Sequence, residues 1–206
     1  IPGRGGVMLY DFHASRDADQ ADAPAGQVPL EETWARIDYL YDRLVPVAEE
    51  AGIRLATHPD DPPMHIYRGA TQALNSFSGF KRLFDSHPSP MNGMLLCMGC
   101  MQEANEDVVE VIRYMGAHDK IFYVHFRNVK GTVRDEQDPG YTEVFPNEGD
   151  MDMVAAIRAF WEVGYDGVLV PDHHFGFTGD DEWSSVSRAW QVGYISGLIQ
   201  ATKPLA

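Results

Sequence analysis

Apolar and polar positions along this chain follow two periods. From Leu30 to Ala51, the residues Trp34, Ile37, Tyr41, Leu44 and Ala48 keep the three-and-four spacing of a helix with one buried face. Pro46 should kink it and Gly52 should stop it. A short apolar run then begins at Ile53 and ends abruptly in His58-Pro59-Asp60-Asp61-Pro62-Pro63. The same form recurs three times. Gly93-Met94-Leu95-Leu96 ends in Cys97, the run from Ile121 to Val124 ends in His125, and Gly167 to Val170 runs into Pro171-Asp172-His173. Helical patterns over about 71–85, 106–115, 150–163 and 184–201 complete the rhythm. Asp150 is the expected N-cap of the fourth helix.

Helix and strand alternate without a hairpin signal, which predicts a parallel sheet and an α/β fold. Residues 1–30 read as a loop-like opening. Within it, Val7 to Phe12 forms a short strand or a packed loop, and Ala14 to Pro29 is an exposed excursion. Residues 128–149 also read as a loop. No linker divides the chain, so residues 1–206 are expected to form a single domain.

Composition narrows the function classes. The chain carries 31 Asp and Glu against 16 Lys and Arg, a formal net charge of −15. That balance argues against nucleic acid and against anionic membrane surfaces as partners. Cys97 and Cys100, the two cysteines, cannot build a disulfide framework, and an i, i+3 bridge would constrain almost nothing. No run reaches transmembrane length and no signal-peptide pattern opens the chain. A cytoplasmic location is the expectation.

The four run-ends are about one βα unit apart, so each falls at the C-terminal tip of a successive strand. In a barrel those tips share one rim, where active sites sit. His58, Cys97, His125 and Asp172 together offer two imidazoles, a thiolate and a carboxylate. This mixed set suits Mn, Fe, Co or Zn better than Mg or Ca. Any one of the four alone is more often structural; Cys97, for instance, would pass as a small buried apolar residue. His173 is a candidate acid or base near neutral pH, or else a solvent-facing loop residue. Arg127, two residues past His125, is placed to hold a substrate carboxylate, or to pair with a strand-end acid such as Asp60. Arg4 in the Gly-rich opening could reach an anion or remain solvated. Asp60 and Asp61 either support the ligands or cap the next turn, and Met91, Met94, Met98 and Met101 read as packing.

The motifs HPDDPP, Cys97-Met98-Gly99, Val124 to Thr132 (VHFRNVKGT), Gly149 to Met153 (GDMDM) and Pro171-Asp172-His173 together resemble the D-mannonate dehydratase family of xylose isomerase-like TIM barrels. The GRGG opening and Val192 to Leu198 resemble it as well. The resemblance implies the second half of a (β/α)8 barrel, strands five to eight, with the first four strands expected before Ile1. The chain is then a fragment or half of an assembly. It also implies metal-dependent dehydration of D-mannonate to 2-keto-3-deoxy-D-gluconate, with Mn or Fe first among the ions and Co or Zn compatible. By motif match His58, Cys97, His125 and Asp172 are the ligands and His173 the acid/base histidine. Arg4, Arg127 and His173 are expected to bind the sugar acid, and the enzyme is expected to be a homo-oligomer. The sequence departs from the family at Val170, where Arg is usual, and at Trp183-Ser184-Ser185, where a Tyr is usual. The alternatives are a sugar isomerase or epimerase on the same metal rim, and an inactive chain that needs a partner.

Overall fold

The computed structural model describes residues 1–17 and 22–205. Its elements in order are β1 (Asp11–His13), α1 (Ala14–Asp17), α2 (Leu30–Ala51), β2 (Leu55–Thr57), β3 (Ile66–Tyr67), β4 (Ala70–Thr71), α3 (Phe77–Ser86), β5 (Asn92–Cys97) and α4 (Met98–Glu103). Then follow α5 (Val108–Ala117), β6 (Ile121–His125), β7 (Asn128–Thr132), β8 (Gly140–Val144), α6 (Met153–Glu162), β9 (Leu169–Val170) and α7 (Ser185–Thr202). Strands β2, β5, β6 and β9 form a parallel sheet in that order. It is the α/β alternation of a partial barrel, as the sequence pattern implies.

Local chemistry sets the element ends. Helix α2 runs through Pro46 and stops at Gly52, whose φ of 66° lies in the left-handed region that suits glycine. Its buried face is Trp34, Tyr41, Val45 and Ala48, whereas Leu44 is exposed. The predicted stripe holds except at Leu44, whose neighbour Val45 takes the inward position, and Ile37 is half-buried. Helix α3 starts later than the pattern suggests because Ser76 caps it, accepting from Gly79 N, while Ala70 and Thr71 go into a two-residue strand. Asp107 caps α5 in the same manner. The cap of α6 is Asp152, which accepts from Val154 N and Ala155 N; Asp150 accepts instead from Gly131 N. The helices pack on the parallel sheet around Phe80, Leu83, Met94, Leu96, Met98, Met101, Ile112 and Met115. The methionines expected to pack thus do so, apart from the half-buried Met91.

The expectation that hairpins are absent fails at two places. Strands β3 and β4 form a small antiparallel pair. More consequentially, residues read as a loop form β7 and β8, an antiparallel pair extended by β1 into a three-stranded sheet of order β1-β8-β7. Asp11–His13 is therefore a strand, close to where a short one was expected, and the loop-like opening is tied into this sheet. Residues 18–21 of the expected excursion lie outside the described residues.

Leu83 and Leu44 provide a direct contrast in burial. Leu83→Ala should cost about 2–5 kcal/mol in denaturant titration, since it leaves a cavity in a close-packed core. Leu44→Ala should stay within about 0.5 kcal/mol. Equal effects at the two positions would contradict the packing described.

Candidate metal centre

Strand register brings the four tips to one level. Thr57 pairs with Met94, Cys97 with His125, and His125 with Val170. His58 is the next residue after Thr57, and Asp172 lies two beyond Val170. One donor atom from each of His58, Cys97, His125 and Asp172 falls within 4.8 Å of every other. The expected cluster is therefore a real juxtaposition.

The donors are arranged as ligands require. His58 Nδ1 is 2.6 Å from the carbonyl of Pro59, which fixes the ring and leaves the other nitrogen for the centre. The His58 and His125 rings lie 5.3 Å apart. His125 Nδ1 is buried and 3.1 Å from Asp172 Oδ2, an ion-pair contact that leaves the nitrogen without a hydrogen-bond partner. A buried nitrogen left in this state beside a thiol and a carboxylate fits a cation.

Electrostatics agree with that fit. Burial alone would raise the Cys97 thiol, but the Cys100 thiol, Arg127 and the two imidazoles hold it well below its usual range. Burial would lower His125, but Asp172 and Cys97 outweigh it and lift the imidazole to about 9. His58 is raised in the same way, its burial outweighed by Cys97 and the Pro59 carbonyl. Asp172 is lowered, its burial outweighed chiefly by His125. Without a cation, the thiol and carboxylate are thus shifted toward their negative forms and the imidazoles toward their positive ones.

Arg127 departs from its expected role as a substrate anchor. Its side chain is only 4% exposed, and every guanidinium nitrogen has a protein partner. Nε donates to Asp172 at 3.1 Å, Nη1 to Glu103 at 2.5 Å, and Nη2 to Asp61 at 2.9 Å and Cys100 Sγ at 3.2 Å. The ion-pair alternative describes it better, with Asp61 rather than Asp60 as the strand-end acid. Gly99 makes room for it: a Cβ there would sit 2.5 Å from Arg127 Cζ. Asp60 does not cap the next turn: it accepts from Leu74 N, and its own N–H donates to the Leu74 carbonyl at 3.1 Å, tying its loop to the segment before α3. Asp61, Cys100 and Glu103 also converge, but the guanidinium already fills the space between them.

His173 stands beside the cluster, with Nε2 3.6 Å from Asp172 Oδ2 and Nδ1 2.5 Å from Glu143 Oε2. The Glu143 hydrogen bond raises its pKa against the effect of burial. Arg4 lies elsewhere, 3.2 Å from Glu148 and over the Phe145 ring. Val170 pairs with His125 in the sheet, and Trp183 is exposed. Glu103, Tyr141 and Glu143 were missed by sequence reading. The alternation Tyr141-Thr142-Glu143 was the available signal, since residues two apart on a strand share a face.

The D-mannonate dehydratase (UxuA) family model matches residues 23–206. Mannonate dehydratase 2 of Halalkalibacterium halodurans is 33% identical over 181 residues, 85% of this chain and 51% of that protein. The mannonate dehydratase of Thermotoga neapolitana is 34% identical over 179 residues, 84% of this chain and 49% of that protein. The crystal structure of mannonate dehydratase from Streptococcus suis serotype 2 superposes with a TM-score of 0.86 at 27% identity, covering 98% of this chain and 61% of that one. A xylose isomerase domain protein of Alicyclobacillus acidocaldarius shares the fold, with a TM-score of 0.65 at 21% identity over 86% of this chain and 63% of that one. The chain spans about half the length of the two curated relatives.

The raised His125 gives a pH signature. A cation must displace its proton, so divalent-metal affinity should rise with pH up to about 9, with protons released on binding. Calorimetry in buffers of different ionisation heat measures both quantities. An affinity that is flat from about pH 6 to about 9 would contradict the His125 environment.

Proposed function

Because this chain belongs to the D-mannonate dehydratase family, we propose that its strand-tip cluster serves dehydration of D-mannonate to 2-keto-3-deoxy-D-gluconate and water. The observation that carries this is the convergence of four donors of different chemistry within 4.8 Å. In this reading residues 1–206 act as one partial-barrel unit. His58, Cys97, His125 and Asp172 hold a divalent cation. The mixed nitrogen, sulfur and oxygen set favours Mn or Fe, with Co and Zn compatible.

Overall, the reaction removes a hydrogen from the carbon beside the carboxylate and a hydroxyl from the next carbon. When bound, the cation supplies Lewis acidity, which makes that hydrogen more acidic and eases departure of the hydroxyl. His173 moves a proton. Glu143 raises its pKa against burial, which suits a ring that takes the hydrogen beside the carboxylate as a proton and gives it to the departing hydroxyl. Arg127 acts from beneath, holding Asp172 through Nε. Its guanidinium is already committed to protein acids, so the substrate carboxylate is left to the cation and to groups on the rim. Arg4 joins the substrate only if it leaves Glu148.

No helix among the described residues is long and apolar enough to cross a membrane. The family supports an enzyme acting on a small sugar acid, for which we propose a cytoplasmic location and a homo-oligomeric assembly. Mass measurement in solution tests the assembly.

Replacing His58 or Asp172 with Ala should abolish stoichiometric metal, read by elemental analysis, and with it product formation from D-mannonate. Full metal content in either variant would remove the site assignment. Formation of a ketose or an epimer from a neutral sugar, with none of the keto-deoxy acid from mannonate, would favour an isomerase or epimerase instead.

A further inference from the structure

Glu143 lies where the two sheets meet. It pairs opposite Val129 in the β7–β8 ladder, and its N–H donates to the carbonyl of Tyr10 at 3.0 Å. The backbone is therefore fixed from both sides. Tyr141 and Glu143, two residues apart on β8, both reach the parallel-sheet tips. The Tyr141 hydroxyl donates to Asp61 at 3.0 Å, and Glu143 Oε2 is 2.5 Å from His173 Nδ1. The other carboxylate oxygen of Glu143 is 4.0 Å from Arg127 Nη1. The side chain is 9% exposed, so its place between imidazole and guanidinium is not a surface accident.

A neutral imidazole has one N–H, and a carboxylate can only accept a hydrogen bond. Glu143 therefore selects the form of His173 with hydrogen on Nδ1. Nε2 then presents a bare lone pair next to Asp172, at the edge of the donor cluster. The Tyr10 ring meets the same imidazole edge-on at 6.4 Å. Tyr10, Phe12, Tyr141, Glu143 and His173 line a cavity of about 410 Å³, which is in the range that holds a small ligand.

We propose that Glu143 is a positioning residue for His173, fixing its tautomer and ring orientation so that Nε2 faces the cavity and the donor cluster. This rests on the reading of His173 as the proton-transfer group of the proposed dehydration. Glu143 acts through the imidazole, as a carboxylate orients a histidine in other acid/base sites. The pairing alone could also be a strut between the sheets, and the test separates the two roles.

The test uses the full chain loaded with Zn²⁺, compared with Glu143→Ala and Glu143→Met. The Met variant keeps about the volume of the side chain but replaces the carboxylate with a weakly accepting, uncharged thioether, and it decides the matter should the Ala variant fold poorly. Imidazole ¹⁵N resonances are recorded at alkaline pH, with His173 assigned by its loss in His173→Asn. The wild type should show His173 with hydrogen on Nδ1, and the variants should shift toward hydrogen on Nε2. In D-mannonate turnover, kcat should fall roughly 10–100-fold, with KM within about twofold and metal content retained. An unchanged tautomer in the folded variants overturns the proposal. So does a changed tautomer with undiminished kcat, which is what a mere strut would give. If the wild type forms no product from mannonate, the dehydration reading fails, while the tautomer result still decides the role of Glu143.

Discussion

The buried guanidinium of Arg127 holds the centre of this molecule together. It emerges just past the tip of β6 and touches acids from three other segments: Asp61 after β2, Glu103 at the end of α4, and Asp172 after β9. Each carboxylate would be costly in that interior without a cation beside it. Burial pushes the Glu103 carboxyl well above its usual range even with Arg127 present. Removing one partner of such a buried set costs about 3–5 kcal/mol. The cost falls on exactly those segments that place the metal-type donors. The antiparallel sheet is held to the same point through Tyr141 on Asp61 and Glu143 near Arg127.

This arrangement separates two jobs that are easily confused in a line of sequence. Cys97 and Cys100 look like a pair, yet one faces the donor cluster and the other receives a hydrogen bond from Arg127. Asp60 and Asp61 look interchangeable, yet one is tied to the backbone of Leu74 and the other holds the guanidinium. His125 and Arg127 share a strand face by spacing, but the imidazole reaches the rim while the guanidinium turns into the interior. The upper layer is chemical and the lower layer fixes its geometry and charge.

Much of the fold was legible because burial writes itself into periodicity. The four apolar runs ending in His58, Cys97, His125 and Asp172 specified both the parallel strands and the donors at their tips. Helices α2, α5 and α7 were legible to within a few residues, with Gly52 marking the end of α2. The β7–β8 pair was not legible. Its strands are five residues each and carry Lys130 and Glu143, so they read as charged loop. Their pairing depends on Gly131, with φ 88°, against the carbonyl of Gly140. The ion-pair role of Arg127 was one of two alternatives, but its full set of partners was hidden for a different reason. Its partners come from residues 61, 103 and 172, and no local pattern encodes that meeting. Asp152 rather than the expected Asp150 caps α6, because both acids precede the same apolar stretch and only the later one reaches the first-turn N–H groups.

The proposed metal centre takes one sulfur, from Cys97, while Cys100 accepts a hydrogen bond from Arg127. X-ray absorption of the zinc-loaded chain measures it directly. The expected spectrum has a single sulfur at about 2.3 Å with nitrogen and oxygen neighbours at about 2.0–2.2 Å. A shell with no sulfur, or with two, would contradict it.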